Sequence, residues 1–171
     1  MNTKAWLVSV PLFFLIAAEA IGQDAKPPKT KFFPGSHIQE VYRISLDRDD
    51  LVLESILEAI KKYDIKDGAV LTGVGSVGKC TYHAVKSVGL IPEDMFVTVE
   101  GPTEILNVNG VIADGDTHIH LTLSNFSGAT GGHLEKGCRV LYRVELTIVK
   151  FSGTPLAFKP NREGVPLLQA K

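Results

Sequence analysis

His118-Ile119-His120, followed by His133 behind Gly131-Gly132, is the set of residues whose types and spacing point most directly to chemistry. On a β-strand, side chains two apart share a face. His118 and His120 therefore project together, while Ile119, Leu121 and Leu123 turn to the other side. Two imidazoles on one face can share a metal ion. The glycine pair is expected to let the chain bend back and bring His133 to them. Three imidazoles with an open fourth position are the usual arrangement of catalytic Zn²⁺. Zinc is the first assignment, although imidazole also suits nickel, copper and iron. Three of the chain's five histidines lie within the 16 residues from 118 to 133. The alternative is a group of hydrogen-bonded surface histidines without metal. Carboxylates available for acid/base work are Glu100, Glu104, Glu135 and Glu145. Glu104 opens a strand and Glu145 interrupts Val144 and Leu146, which are also ordinary positions for strand alternation.

Gly73-Val74-Gly75-Ser76-Val77-Gly78 matches G-x-G-x-x-G. A dinucleotide site needs a helix directly after it, whose N-terminus holds the pyrophosphate. Lys79 to Val85 reads as a strand instead, so the glycines are assigned to a tight, bulged backbone. Ser76 is not a nucleophile elbow, because Val74 occupies the first glycine position of G-x-S-x-G. Asn125-Phe126-Ser127 is a glycosylation sequon, and its place beside the histidines reads as a turn.

The elements that must carry these residues are mostly strands. Ile38–Leu46 is rich in β-branched and aromatic residues. Leu53, Ile56, Leu57 and Ile60 fall on one face of a helix, with an aspartate among Asp47, Asp49 and Asp50 as its expected cap and Lys61 and Lys62 in its last turn. Asp67-Gly68 reads as a turn. Strands are expected at Ala69–Thr72, Cys80–Val88, Met95–Val99, Glu104–Val111, His118–Leu123 and Arg139–Lys150. One helix among about seven strands indicates an α+β fold with a mostly antiparallel sheet or barrel-like core.

Composition bounds the class. The 171 residues are 44% apolar and 22% charged, with a formal net charge of −1, so one ordinary domain is expected and the basic surplus of a nucleic-acid binder is missing. Residues 1–22 read as a separate unit: Lys4, an apolar run of 14 residues from Ala5 to Ala18 broken only by Ser9 and Pro11, and small residues at Ala20 and Gly22. This is the pattern of a cleaved secretory signal. The run is short of the ~20 apolar residues of a spanning helix, which leaves an uncleaved anchor as the alternative. The mature chain would start near Gln23, hold 149 residues and lie in the periplasm or outside the cell, with no membrane segment. Residues 23–36, with Pro27, Pro28 and Pro34, read as a linker, and 37–171 as the domain. Export permits a disulfide between Cys80 and Cys138, and two unpaired buried thiols are the other reading.

Taken in order, Asp67-Gly68, Gly73-Val74-Gly75-Ser76, Glu104-Ile105-Leu106-Asn107-Val108-Asn109-Gly110, His118-Ile119-His120-Leu121, Gly128, Gly131-Gly132-His133-Leu134 and Glu145 resemble the PPC domain (plant and prokaryote conserved). Arg43, Arg162 and Val165-Pro166-Leu167 fit its edges, so the resemblance covers about Gly35 to Leu168. It implies an α+β fold, a homotrimer, and a histidine pattern that maps onto His118, His120 and His133. Plant members attach the domain to AT-hook segments that bind DNA; this chain has no Arg-Gly-Arg-Pro core, so no nucleic-acid partner is expected. The domain is also similar in architecture to acetolactate decarboxylase, which holds zinc with an H-x-H and a later histidine. Three functions follow as expectations. One is a metal site with no assigned reaction. Another is a zinc-dependent lyase or hydrolase on a small carbonyl or carboxylate substrate, with Arg43 holding the carboxylate and Glu104 as acid/base. The third is a protein-interaction module without catalysis.

Overall fold

The computed structural model describes residues 30–171. The expected signal segment at 1–22, and all of the linker before residue 30, lie outside the described residues. Residues 30–36 carry no regular structure. Among the described residues no helix is long and apolar enough to cross a membrane.

The described residues form eight strands and one helix, in order: β1 (His37–Leu46), α1 (Val52–Lys62), β2 (Asp67–Val85), β3 (Asp94–Ala113), β4 (Asp116–Asn125), β5 (Gly128–Leu134), β6 (Arg139–Ser152), β7 (Leu156–Pro160) and β8 (Pro166–Ala170). The α+β expectation holds. Six strands form one antiparallel sheet in the order β1-β6-β2-β3-β4-β5, and β5 also pairs with β2. Strands β2, β3, β4 and β5 thereby close on themselves into a small barrel. β7 and β8 form a separate two-stranded ribbon.

The closure depends on β2, a strand of 19 residues. Most of it pairs with β6 (Gly68↔Lys150 to Lys79↔Arg139), and its far end pairs with β5 (Tyr82↔Leu134, His83↔His133). A strand that long must bend, and register shifts near Thr72, Val77 and Lys79 do the bending. The glycine motif lies in this strand, as its strand-like sequel implied. Gly75 has φ 152, and a Cβ there would strike the Arg143 carbonyl and come within 2.7 Å of the Val144 Cα. Glycine is needed where β2 crosses close to β6, and no helix follows to hold a phosphate.

Sequence expectations shift in several places. Asp67-Gly68 opens β2 rather than forming a turn; the turn precedes it at Tyr63–Asp64. The separate strands expected at 95–99 and 104–111 are one strand, β3, running through Gly101 at φ 99, and those expected at 69–72 and 80–88 are one strand, β2, which ends at Val85. The helix has Leu51 at its N-cap with no side-chain bond; Asp50 instead accepts the Asp47 amide at 2.9 Å, and Val52 N donates to the Cys138 carbonyl. Tertiary pairing replaces the local cap. The buried helix face is Val52, Ile56, Ala59 and Ile60, with Leu53 and Leu57 half-buried beside it.

The core joins this helix face to the inward residues of the sheet, among them Val77, Val108, Ile119, Leu121, Leu123, Leu134 and Val144. Each is nearly solvent-free, and full burial of such a side chain contributes about 1.5–3 kcal/mol. Cys80 and Cys138, both fully buried, are joined as a disulfide between β2 and the segment before β6.

Candidate metal centre

β4 alternates as its sequence predicts: Ile119, Leu121 and Leu123 are buried, while His118 and His120 stand on the opposite face. A two-residue turn at Phe126–Ser127, closed by the Ser127 amide donating to Asn125 Oδ1 at 2.9 Å, leads into β5. The sequon is therefore a hairpin turn. β5 runs back along β4 in register, with His133 directly opposite His120.

Gly131 and Gly132 act differently from the expectation. Neither has positive φ, and the chain reverses earlier, at the turn. They allow close approach: a Cβ on Gly132 would strike the His83 carbonyl and lie 2.9 Å from the Tyr82 ring. The glycines let β5 lie tightly between β4 and β2, which sets the position of His133.

The three imidazoles converge. One ring nitrogen from each of His118, His120 and His133 lies within 4.8 Å of the others. The Nε2 atoms of His118 and His120 are 3.1 Å apart. Two Zn–N bonds of 2.0–2.1 Å at a tetrahedral angle place their nitrogens about 3.3 Å apart. The donor set thus fits a transition metal after side-chain rotations of about 1.5 Å or less at the widest pair. Burial, and then the neighbouring histidines, hold the His120 imidazole below its ordinary pKa. Burial followed by His83, His118 and His120 does the same for His133, against a smaller upward pull from Glu135. Neutral imidazole is the form that ligates.

A fourth histidine completes the group. His83, opposite His133 in the β2–β5 pairing, stacks on its ring with centroids 4.5 Å apart and planes at 21°. Its Nδ1 lies 2.6 Å from Glu135 Oε1. His83 carries no motif of its own, and only the pairing of strands some 50 residues apart brings it here. Of the four candidate carboxylates, Glu135 alone enters the site, through His83. Glu100 pairs with Lys79 at 2.9 Å and Glu145 with Arg143 at 3.3 Å.

Arg43 and Glu104 stand away from the histidines within the chain. Glu104 is opposite Ser124, four residues along β4 from His120, or about 13 Å at strand rise. Arg43 is on β1 and lies level with Thr147 of β6 and Thr72 of β2, eleven residues along β2 from His83. Arg43 lines a different depression, against the helix, with Glu58 and Tyr63.

A cleft of about 660 Å³ opens beside the cluster. His83, His118 and His133 form one side, and Phe158, Pro160 and Pro166 of the β7–β8 ribbon form the other. The Phe158 ring meets that of His118 edge-on, with centroids 6.2 Å apart. The ribbon is fastened at its base by the Leu156 amide donating to Asp67 Oδ1 at 3.1 Å and at its end by Lys171 bonded to Asp114 at 2.6 Å.

The model of the Plants and Prokaryotes Conserved (PCC) domain matches residues 35–152, more than half of the chain and all three clustered histidines. The chain belongs to the PCC domain family. This is the family whose motifs the sequence resembles. Solved structures share the PCC fold at low identity. A metal-containing protein of Archaeoglobus fulgidus superposes with TM-score 0.71 at 19% identity, covering 82% of this chain and 99% of that one. A plant- and prokaryote-conserved protein of Pyrococcus horikoshii gives TM-score 0.70 at 18% identity, with 82% and 99% covered. In sequence, 129 residues are 27% identical to the bifunctional protein GlmU of a Synechococcus strain, covering 74% of this chain and 19% of that protein. The chain therefore spans about a fifth of the length of that curated relative.

Proposed function

We propose that this PCC domain binds one divalent transition metal, zinc first, through His118, His120 and His133, and presents it to a small molecule in the adjoining cleft. The observation that carries the reading is the convergence of three imidazole nitrogens within 4.8 Å on a face that β4 alternation and β5 register both dictate. The description of the Archaeoglobus fulgidus neighbour as metal-containing supports it. Three protein ligands leave a coordination position open, and a bound metal there supplies Lewis acidity to an oxygen or nitrogen of the ligand. His83, held by Glu135, offers its other ring nitrogen as a hydrogen-bond partner to the cleft's occupant. That pair favours a metal-assisted lyase or hydrolase as the more specific reading, with His83 and Glu135 rather than Arg43 and Glu104 beside the metal. Metal analysis of untagged protein tests the site. About one metal per chain, lost in His120→Ala, is expected; metal-free wild type under zinc-replete growth would overturn the reading.

Two further proposals concern the setting. Export is supported by the signal pattern at 1–22 and by a disulfide between buried cysteines, which persists in oxidising compartments. An exported protein starting at Gln23 by terminal mass analysis is expected; retention of Met1 in the cell body would contradict it. A homotrimer is supported by exposed Leu71, Val74, Leu106 and Tyr142 on the neighbouring strands β2, β3 and β6. Sedimentation equilibrium measures its mass, and a monomer at micromolar concentration would exclude it. The near-neutral charge gives no support to a nucleic-acid partner.

A further inference from the structure

The cleft beside the histidines has a charge pattern that selects among ligands. Among the described residues, its charged lining side chains apart from histidine are Asp94 and Asp116, and no lysine or arginine lines it. Three lysines on the elements around the cleft are engaged with other groups: Lys86 with Glu93 at 3.3 Å, Lys171 with Asp114 at 2.6 Å, and Lys159 donating to the Ala170 carbonyl at 3.0 Å. Arg162, in the turn between β7 and β8, does not line the cleft. The two lining carboxylates oppose the approach of an anion to a divalent ion held by the histidines. A recognition site for a carboxylate or phosphate would need a guanidinium or ammonium partner, and none is placed here.

The far wall is apolar. Phe158, Pro160 and Pro166 come from the ribbon, joined by Val85 and Pro92 from the end of β2 and the loop after it. Phe158 is half-buried and edge-on to His118, so its ring reaches over the first metal ligand. A cleft of about 660 Å³ lies within the ordinary range for sites that enclose small organic ligands. Pro160 and Pro166 face each other where the ribbon meets its turn and restrict the backbone there, which favours a preformed wall.

Resting on the metal reading above, we propose that this cleft takes a small, uncharged, largely apolar molecule with a single metal-binding head, and that Phe158 on the ribbon is the residue that selects for its apolar body. The head reaches the open coordination position past His118 and His133, and the body lies along the ribbon. The small-carboxylate substrate expected from the sequence fits this cleft less well than a neutral carbonyl or nitrogen-headed compound.

The test uses zinc-loaded full domain and two probes with the same body: phenylimidazole, which is neutral, and phenylpropionate, which is anionic. Binding is read by calorimetry, and metal content is measured on the same samples. In the wild type, phenylimidazole is expected to bind more tightly. Because imidazole is also the stronger zinc ligand, the variants decide. Asp94→Asn with Asp116→Asn is expected to strengthen phenylpropionate about tenfold and to leave phenylimidazole within about twofold. Phe158→Ala is expected to weaken phenylimidazole about tenfold while free imidazole is unchanged, with Phe158→Leu between the two. Preserved circular dichroism certifies the ribbon variants as folded. If phenylpropionate ignores the loss of both aspartates, or if Phe158→Leu and Phe158→Ala leave phenylimidazole unchanged in protein that holds its metal, the inference is overturned and the metal reading stands. Protein that holds no zinc overturns both.

Discussion

Gly132→Ala isolates the strand geometry that places His133. The new methyl would strike the His83 carbonyl, a backbone atom, and would lie 2.9 Å from the Tyr82 ring and 3.1 Å from the His83 carbonyl carbon. Ordinary contacts begin near 3.4 Å. Tyr82 cannot swing aside, because it is 4% exposed and its hydroxyl is bonded to Thr130 on β5 itself. The relief must come from β5 moving away from β2 by about 1 Å. A Zn–N bond is 2.0–2.1 Å long, so the His133 ring would have to make up this shift on top of the rotation that already brings the donors together. Overpacking of this kind costs about 1–3 kcal/mol of stability. Metal affinity should fall further, by about tenfold to a hundredfold, in the range seen when a ligand loses its support. Competition against a chromophoric chelator measures the affinity, and thermal unfolding of the metal-free protein measures the stability. Gly78→Ala is the control: its Cβ would meet only the tip of Leu141 at 3.7 Å, at an unstrained φ. A Gly132→Ala protein that binds zinc as tightly as the Gly78→Ala control would refute the claim that close strand approach positions His133.

Other outcomes follow from the same site. His120 and His133 sit below their ordinary value of 6.5, so well above that pH both are neutral whether the chain is folded or unfolded. As pH drops below 6.5 the unfolded chain takes up protons that the folded one resists, and stability falls until the lowered folded pKa is passed. Melting temperatures of metal-free protein between pH 7.5 and about 5 should show this loss, and a His120→Gln, His133→Gln double variant should lose less over the same interval. Zinc affinity should decline in the same direction, because protons compete for the ligands. Glu135→Gln weakens the 2.6 Å contact to His83 and through it the ring stacked on His133; zinc affinity should fall about threefold to tenfold, and Glu135→Ala should lose more. Equal affinities across the three proteins would remove His83 and Glu135 from the site's support.

The histidine pair was legible because a strand's two-residue period is a local property, and the buried Ile119 and Leu121 confirm the face on which the imidazoles stand. His133 was legible by type and by its glycines, although those glycines serve close packing rather than a bend. His83 was not legible: it lies among Tyr82 and Ala84 with no motif around it, and the register His83↔His133 belongs to the closure of the barrel. The same limit applies to Asp50, which had the right type to cap the helix. Val52 found its partner instead in the Cys138 carbonyl, far along the chain. The C-terminal ribbon left little trace because its strands are five residues each and both include proline. The long strands look like separate pieces in the sequence, since a bulge at Gly101 or around Gly75 resembles an end until the neighbouring strand shows the pairing continuing.

The disulfide and the histidine site are two consequences of one strand pairing. Cys80 lies three residues before His83 on β2, and Cys138 five residues after His133. Between them the pairing is short: Tyr82↔Leu134, His83↔His133, and the Glu135 amide donating to the Thr81 carbonyl at 3.1 Å. A contact so brief is easily frayed, and the cross-link holds its two strands at one end. Closing a loop of 58 residues restricts the unfolded chain by about 4 kcal/mol in the chain-entropy model. Reduction should therefore lower stability by about that amount. If the link also holds the register, zinc affinity of the folded, reduced protein should fall as well, by several fold. A Cys80→Ala, Cys138→Ala protein separates the effects, because urea titration gives its stability and chelator competition its affinity. A stability loss with unchanged zinc affinity would mean that the β2–β5 pairing holds without its covalent tie, and that the glycines of β5 suffice to keep His133 in place.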